Sequence, residues 1–372
     1  MKYLLMFVWL VAGVAVAQPQ VLVEGLVKPW GLTELPDGRV LITEREGQLR
    51  IISLRAESGN LRVTSSTKVA VAPDELLELG QGGLLDVRPH PNFANNQKLY
   101  FSYSCGSVAA NHTCLAAGVL ASTDVQELQP LFRSQPAKAG GAHFAGRLLW
   151  LPDHTLLLTV GDGFDYREQA QRLDSHLGKT LRLTDKGGAP TDNPLVGQAA
   201  AKAEIFTYGH RNSQGLVWNS TTNNILSHEH GPRGGDEVNQ LVAGNNYGWP
   251  IATFGLDYTG AVVSPYQRLP QVTPPLLQWT PSIAPSAMAI YQDKLLVTAL
   301  ASRELKIIQL PGASHQAPPA KLSWSEQGEK SLLSEMDIRW RNILVTQSGH
   351  VLALSDGADA SLYDITAVIV AP

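Results

Sequence analysis

Leu151-Pro152-Asp153-His154-Thr155-Leu156-Leu157-Leu158-Thr159 sets a Pro-Asp turn directly before a short apolar run. A polar turn that empties into roughly four to eight apolar residues predicts a strand entered from a tight hairpin. The arrangement recurs at Leu35-Pro36-Asp37-Gly38-Arg39-Val40-Leu41-Ile42-Thr43 and across residues 92–104, where Lys98-Leu99-Tyr100-Phe101 follow Asn95-Asn96. Weaker copies lie at residues 221–227, 292–299 and 341–346. The intervals run roughly 50–70 residues, the length of a four-stranded blade with its loops. Gln48-Leu49-Arg50-Ile51-Ile52 and the alternating Leu305-Lys306-Ile307-Ile308-Gln309-Leu310 add further strands. The 33 Gly and 23 Pro are scattered and break long helices. Residues 75–79 read as one isolated helical turn. The fold predicted is all-β, a six-bladed β-propeller with its active site at one end of the central channel. A pair of β-sandwiches or a large irregular barrel is the competing architecture.

The remaining composition narrows the class. The chain has 372 residues, 44% of them hydrophobic, and a formal net charge of −4. No basic surface is advertised, so electrostatics gives no case for a nucleic-acid partner. Met1-Lys2 precedes an apolar run to Val16, and Ala15-Val16-Ala17 offers a small-x-small cleavage site before Gln18. Residues 1–17 therefore read as a signal peptide cleaved after Ala17, since the run is shorter than the roughly 20 residues of a spanning helix. No Cys follows that would carry a lipid, and no later segment is apolar and long enough to span. Residues 18–372 are expected to form one propeller domain in the periplasm or outside the cell. In that oxidising setting the two cysteines, Cys105 and Cys114, are expected to pair, with two free thiols as the alternative.

Propeller loops gather at one end of the channel from distant parts of a chain. Six loops carry the polar residues to watch. Gly80-Gln81-Gly82-Gly83 lets backbone approach a ligand and offers an amide, though a plain glycine turn looks the same. Gly140-Gly141-Ala142-His143 brackets an imidazole whose ordinary pKa suits a general base; a lone His is also a common structural residue. Gly161-Asp162-Gly163 places a carboxylate at a strand end, where it can form a turn or orient a His. Tyr208-Gly209-His210-Arg211-Asn212-Ser213-Gln214-Gly215 crowds polar groups, among them an Arg suited to an oxyanion or carboxylate. His228-Glu229-His230-Gly231-Pro232-Arg233-Gly234-Gly235-Asp236-Glu237 combines carboxylates with bent backbone carbonyls, the donors a hard cation such as calcium takes. Its His-x-His lacks the third ligand of a zinc site at a recognised spacing. Gly244-Asn245-Asn246-Tyr247-Gly248-Trp249-Pro250 is an aromatic turn suited to a pocket wall.

In this order, these loops resemble the soluble PQQ-dependent aldose dehydrogenases, the glucose/sorbosone dehydrogenase family. The resemblance runs from about residue 27 to about residue 299. It is densest at residues 143–148, 177–194, 208–215, 229–237, 245–250 and 279–288. It implies a six-bladed propeller that oxidises aldoses to lactones, with PQQ and calcium as cofactors and an unidentified electron acceptor. It implies that His143 takes the proton of the anomeric hydroxyl, that Asp162 orients His143, and that hydride passes to PQQ. It implies that Arg211 and calcium polarise the quinone oxygen, and that Gln81 and Asn212 touch PQQ. Carbonyls of Gly231 and Pro232 would hold the calcium with Asp236 or Glu237 assisting, and Tyr247 and Asp257 lie where some members carry another. The family's Arg-x-Arg-Asp segment, whose arginines pair with PQQ carboxylates, aligns here with Ser334-Glu335-Met336-Asp337. On that alignment both arginines are absent, Glu335 repels the cofactor, and Arg303, Arg339 or Arg341 would have to substitute. Ala142 replaces the polar residue usual before the base, which alters sugar contacts. Two other readings stay open: a PQQ-free propeller binding sugars or cell-wall fragments, and a calcium-dependent lactonase-type hydrolase. A monomer or a homodimer is expected.

Overall fold

The structure is a computed structural model that describes residues 17–122, 124–310 and 328–371. The signal peptide expected over residues 1–17 lies outside the described residues but for Ala17. Among the described residues no helix is long and apolar enough to cross a membrane.

Among the described residues, twenty-four strands form six four-stranded sheets, the blades of a propeller. All pairings within the blades are antiparallel, so short turns can join successive strands. The innermost strands are Pro29–Glu34, Leu84–Pro89, Ala145–Trp150, Ser213–Asn219, Pro285–Tyr291 and Trp340–Val345, and each touches the next around the ring. The ring closes where Gln20–Leu26 pairs with Ala360–Asp364 as the outermost strand of the last blade.

Apolar runs rather than strict alternation mark these strands because each blade buries both faces. In Leu156–Val160, Leu156 and Leu158 pack toward the blade before, while Leu157 packs toward the blade after. Val40 and Ile42 likewise face the last blade and Leu41 faces the second. Six apolar clusters fill the six seams between blades.

The first five turn–strand copies are the second strands of their blades. The sixth is corrected: residues 341–346 fall on the innermost strand Trp340–Val345, and the second strand is Val351–Ser355, entered through a turn closed from Gly349 N–H to Thr346 O. Residues 75–79 form no helix; Glu75 lies in a turn with φ +58 and Leu76 makes an isolated bridge to Cys105. Cys105 and Cys114 are disulfide-bonded across Lys98–Gly106 and Asn111–Leu120, with Cα atoms 6.1 Å apart.

Arg147 pins the blades at the centre. Its Nε donates to Gln214 O at 2.9 Å and its Nη2 to Ser286 O at 3.0 Å. Nη1 lies 3.5 Å from Asp86, and the guanidinium sits 4.1 Å from the Trp30 ring centre. One side chain of the third blade thus ties to the first, second, fourth and fifth. Removing this fully buried charge leaves the buried Asp86 with Arg88, 3.4 Å away, as its remaining ion-pair partner and frees two carbonyls of their donor. Arg147→Leu is therefore expected to lower the unfolding free energy by about 3–5 kcal/mol. Denaturant titration checks this, and an unchanged midpoint would refute the hub.

Candidate active site

Every sequence-predicted base or orienter stands on a loop at a blade edge. His143 immediately precedes the innermost strand Ala145–Trp150, with φ +53. A non-glycine residue in this left-handed region is held there by its surroundings. Gln81 does part of the holding: its side-chain Oε1 accepts the His143 N–H at 2.8 Å, and its own N–H donates to Gly141 O at 2.7 Å.

His143 Nδ1 lies 2.6 Å from Asp162 Oδ1. An ionised carboxylate only accepts, so Nδ1 carries the proton and Nε2 keeps its lone pair. Asp162 is fully buried just past the end of Leu156–Val160. Its Oδ1 also accepts the Phe164 N–H at 2.8 Å, and its Oδ2 accepts Trp249 Nε1–H at 2.7 Å. Trp249 was legible only as part of an aromatic wall; it is the third member of a Trp–Asp–His chain. Burial lowers the His143 pKa, against the Asp162 hydrogen bond, and the positive charge of Arg211 lowers it further. The imidazole is therefore neutral and basic at pH 7.

Arg211 is 4% exposed and backbone-linked to this chain, its carbonyl accepting the Asp162 N–H at 2.8 Å. Its Nη1 donates to Gly231 O at 2.7 Å and His230 O at 3.3 Å. Neighbouring His210 is structural: it bonds Glu229 at 2.8 Å and stacks on Tyr247.

A cavity of about 330 Å³ opens beside His143, lined by Gln81, Phe144, Asn212, Trp30, Arg45, Arg339 and Arg341. Arg341 is bonded through Nε and Nη2 to Asp356 at 2.9 and 2.8 Å, and Arg339 reaches the same carboxylate at 3.2 Å. Three guanidiniums face one carboxylate, so the cavity is electropositive and suits a planar polyanion. Ser334-Glu335-Met336-Asp337 does not line this cavity. Ser334–Met336 is a 3-10 turn outside the cavity, with Glu335 exposed, and Arg303 pairs with Asp337 at 2.6 Å. Arg339 and Arg341, two of the three arginines named as substitutes, line the cavity and are separated by Trp340. Successive strand residues point to opposite faces, so both arginines reach the cavity while Trp340 fills the seam between blades. Arg45, just past Val40–Glu44, was missed, because one Arg after a strand carries no signal of its own.

The carbonyl loop is shaped by Asp236. Its Oδ1 accepts the Gly231 N–H at 2.9 Å; its Oδ2 accepts Ser282 Oγ–H, Ile283 N–H and Ala284 N–H at 2.7, 2.8 and 2.9 Å. Three of these four bonds fall on Oδ2 and one on Oδ1, and together they hold the bend of the loop at Gly231. Glu237 and Glu229 border the same small space with Gly231 and Tyr247. Burial, then the charge of Glu229, pushes the Glu237 carboxyl up to about 8. Among the described residues no cluster of three or more His, Cys, Asp or Glu stands ready to hold a metal. The backbone oxygens of this loop that meet a cationic group are those of Gly231 and His230, both facing Arg211. Tyr247 is buried against His210, while Asp257 pairs with Arg167 at 3.5 Å.

The family model described as glucose/sorbosone dehydrogenase matches residues 26–364. The chain is 34% identical to the aldose sugar dehydrogenase YliI of Escherichia coli over 95% of its length and 94% of that protein. It is 30% identical to the quinoprotein glucose dehydrogenase B of Acinetobacter calcoaceticus, over 66% of its length and 55% of that protein. The apo-form crystal structure of the soluble aldose sugar dehydrogenase from Escherichia coli superposes with a TM-score of 0.83 at 33% identity, covering 93% of this chain and 98% of that one.

Proposed function

Because the chain belongs to the glucose/sorbosone dehydrogenase family, we infer that it oxidises aldoses at the anomeric carbon to lactones, with PQQ and calcium as cofactors. The observation that carries this reading is the His143–Asp162 pair, tied through Gln81 to a cavity lined by three guanidiniums. The quinoprotein name of the Acinetobacter relative supports the choice of cofactor. PQQ, when bound, supplies the hydride acceptor. His143 Nε2 takes the anomeric hydroxyl proton as the carbonyl forms, and Asp162 stabilises the imidazolium and holds its tautomer. Trp249 in turn fixes Asp162. Arg45, Arg339 and Arg341 would receive carboxylates, Gln81 and Asn212 in-plane polar groups, and the Gly231 and Pro232 carbonyls the calcium. Arg211 brings the positive charge that favours an oxyanion. The PQQ-free reading rested on missing arginines, and Arg339 and Arg341 in the cavity lining weigh against it. The disulfide supports action in an oxidising compartment.

Mature protein supplied with PQQ, calcium, an aldose and an artificial electron dye is expected to reduce the dye. No turnover in any aldose, with no binding of PQQ, would sink the reading. The acid limb of kcat/KM should follow His143. Its lowered pKa keeps the base form present to lower pH, so activity is lost only as pH falls below the ordinary value of about 6.5. A limb above that value would contradict the assignment. Calcium at about 100 times its Kd should stabilise the fold by about 2.7 kcal/mol. A melting temperature indifferent to calcium and to EDTA would argue against calcium at the Gly231 and Pro232 carbonyls.

A further inference from the structure

Two large aromatic rings stand in solvent beside His143. Phe164 is 44% exposed and Tyr258 57%. The Phe164 ring meets the His143 imidazole edge-on, with centres 5.0 Å apart. The Tyr258 ring lies nearly parallel to that of Phe164, 6.1 Å away at 19°. Their loops are distant in sequence. Phe164 follows the Asp162 turn, and Tyr258 tips a small hairpin closed by a bridge from Leu256 to Val262. Both loops are held in place. Arg167 pairs with Asp257 at 3.5 Å, Asp257 N–H donates to Ala261 O at 2.9 Å, and Arg211 Nη2 donates to the Tyr258 hydroxyl at 3.3 Å. The rings therefore form a positioned wall running outward from the base, and no buried role explains their exposure.

Aromatic faces carry negative charge density, and a pyranose ring presents polarised axial C–H groups on its faces. A wall in line with a base thus suits a sugar ring whose anomeric hydroxyl is being deprotonated. We propose that Phe164 and Tyr258 are the specificity-determining wall of the sugar subsite, receiving the apolar face of an aldopyranose whose anomeric hydroxyl meets His143 Nε2. This rests on the dehydrogenase reading above. The wall binds the ring and takes no part in the bond changes, so its contribution appears in KM more than in kcat.

The test pairs kinetics with binding. Phe164→Ala and Tyr258→Ala are expected to raise KM for aldopyranoses by roughly threefold to tenfold each. Tyr258→Phe keeps the ring and should stay near the wild-type KM. Tyr266→Ala, an exposed aromatic of the same segment that stacks on neither ring, serves as the control and should leave KM unchanged. Calorimetric titration with methyl β-D-glucopyranoside, which has a ring face but no anomeric hydroxyl, gives a readout without turnover. Weaker binding to both alanine variants than to wild type supports the wall. Equal binding to all, no binding to wild type, or a loss confined to kcat would overturn it. If the PQQ-loaded wild type oxidises no aldose, the dehydrogenase reading fails by itself, and the titration still decides the wall.

Discussion

His143→Ala is expected to lower kcat by about 10²–10⁴, the range over which a positioned general base accelerates proton transfer. On the proposed reading the free nitrogen of this imidazole meets the reacting hydroxyl, and the other histidines near it among the described residues are engaged. His210 bonds Glu229 and Thr207, and His230 bonds Pro285 O at 2.8 Å. The variant should still bind PQQ with near-wild-type affinity, because the reading proposed above assigns the cofactor's grip to the arginines, Gln81 and Asn212. Turnover is read with dye at saturating aldose and binding by absorbance titration. Near-normal turnover would show that the wrong base was chosen. Loss of cofactor binding instead would mean that His143 acts on the site's shape.

The arginine-lined cavity gives the second large effect. Arg45 and Arg339 have side chains 20% and 47% exposed, so each can be removed without stranding a deeply buried charge. Each charge-assisted hydrogen bond is worth about 1.5–3 kcal/mol. The Arg45→Ala/Arg339→Ala double variant should therefore bind PQQ roughly 10²- to 10⁴-fold more weakly. Arg341 is left in place, because it neutralises the buried Asp356. Thermal melting confirms that the fold survives, and an unchanged PQQ affinity would assign the cavity to another ligand.

The propeller was legible because its signal is local. Each Pro-Asp or Asn turn before an apolar run reports one hairpin, and hairpins repeat at blade spacing. The slip in the sixth blade has a physical cause: two consecutive strands there are both apolar, and Gln347-Ser348-Gly349-His350 lacks the Pro-Asp signature. His143, Asp162 and Arg211 were legible as members of a polar constellation on glycine-rich loops. What escaped was partnership across blades. Trp249 Nε1 meets Asp162 from a residue 87 positions away, a distance over which sequence carries no sign of contact. Asp236 reads as a cation ligand because carboxylates are cation ligands, and only the positions of Ser282, Ile283 and Ala284 show the hydrogen bonds that its Oδ2 accepts. Arg339 and Arg341 were named only as substitutes beside Arg303, and it is the fold that brings those two, and not Arg303, to the cavity.

The central claim is that this cavity holds PQQ where a sugar's anomeric carbon can be oxidised. A single-turnover experiment tests it most directly. Protein loaded with PQQ and calcium is mixed with an aldose in the absence of any electron acceptor, and the absorbance of the bound quinone is followed while the sugar product is identified. The expected result is reduction of one equivalent of bound PQQ with formation of one equivalent of lactone, abolished in His143→Ala. Bound PQQ that stays oxidised through excess aldose, with the sugar recovered unchanged, would contradict it.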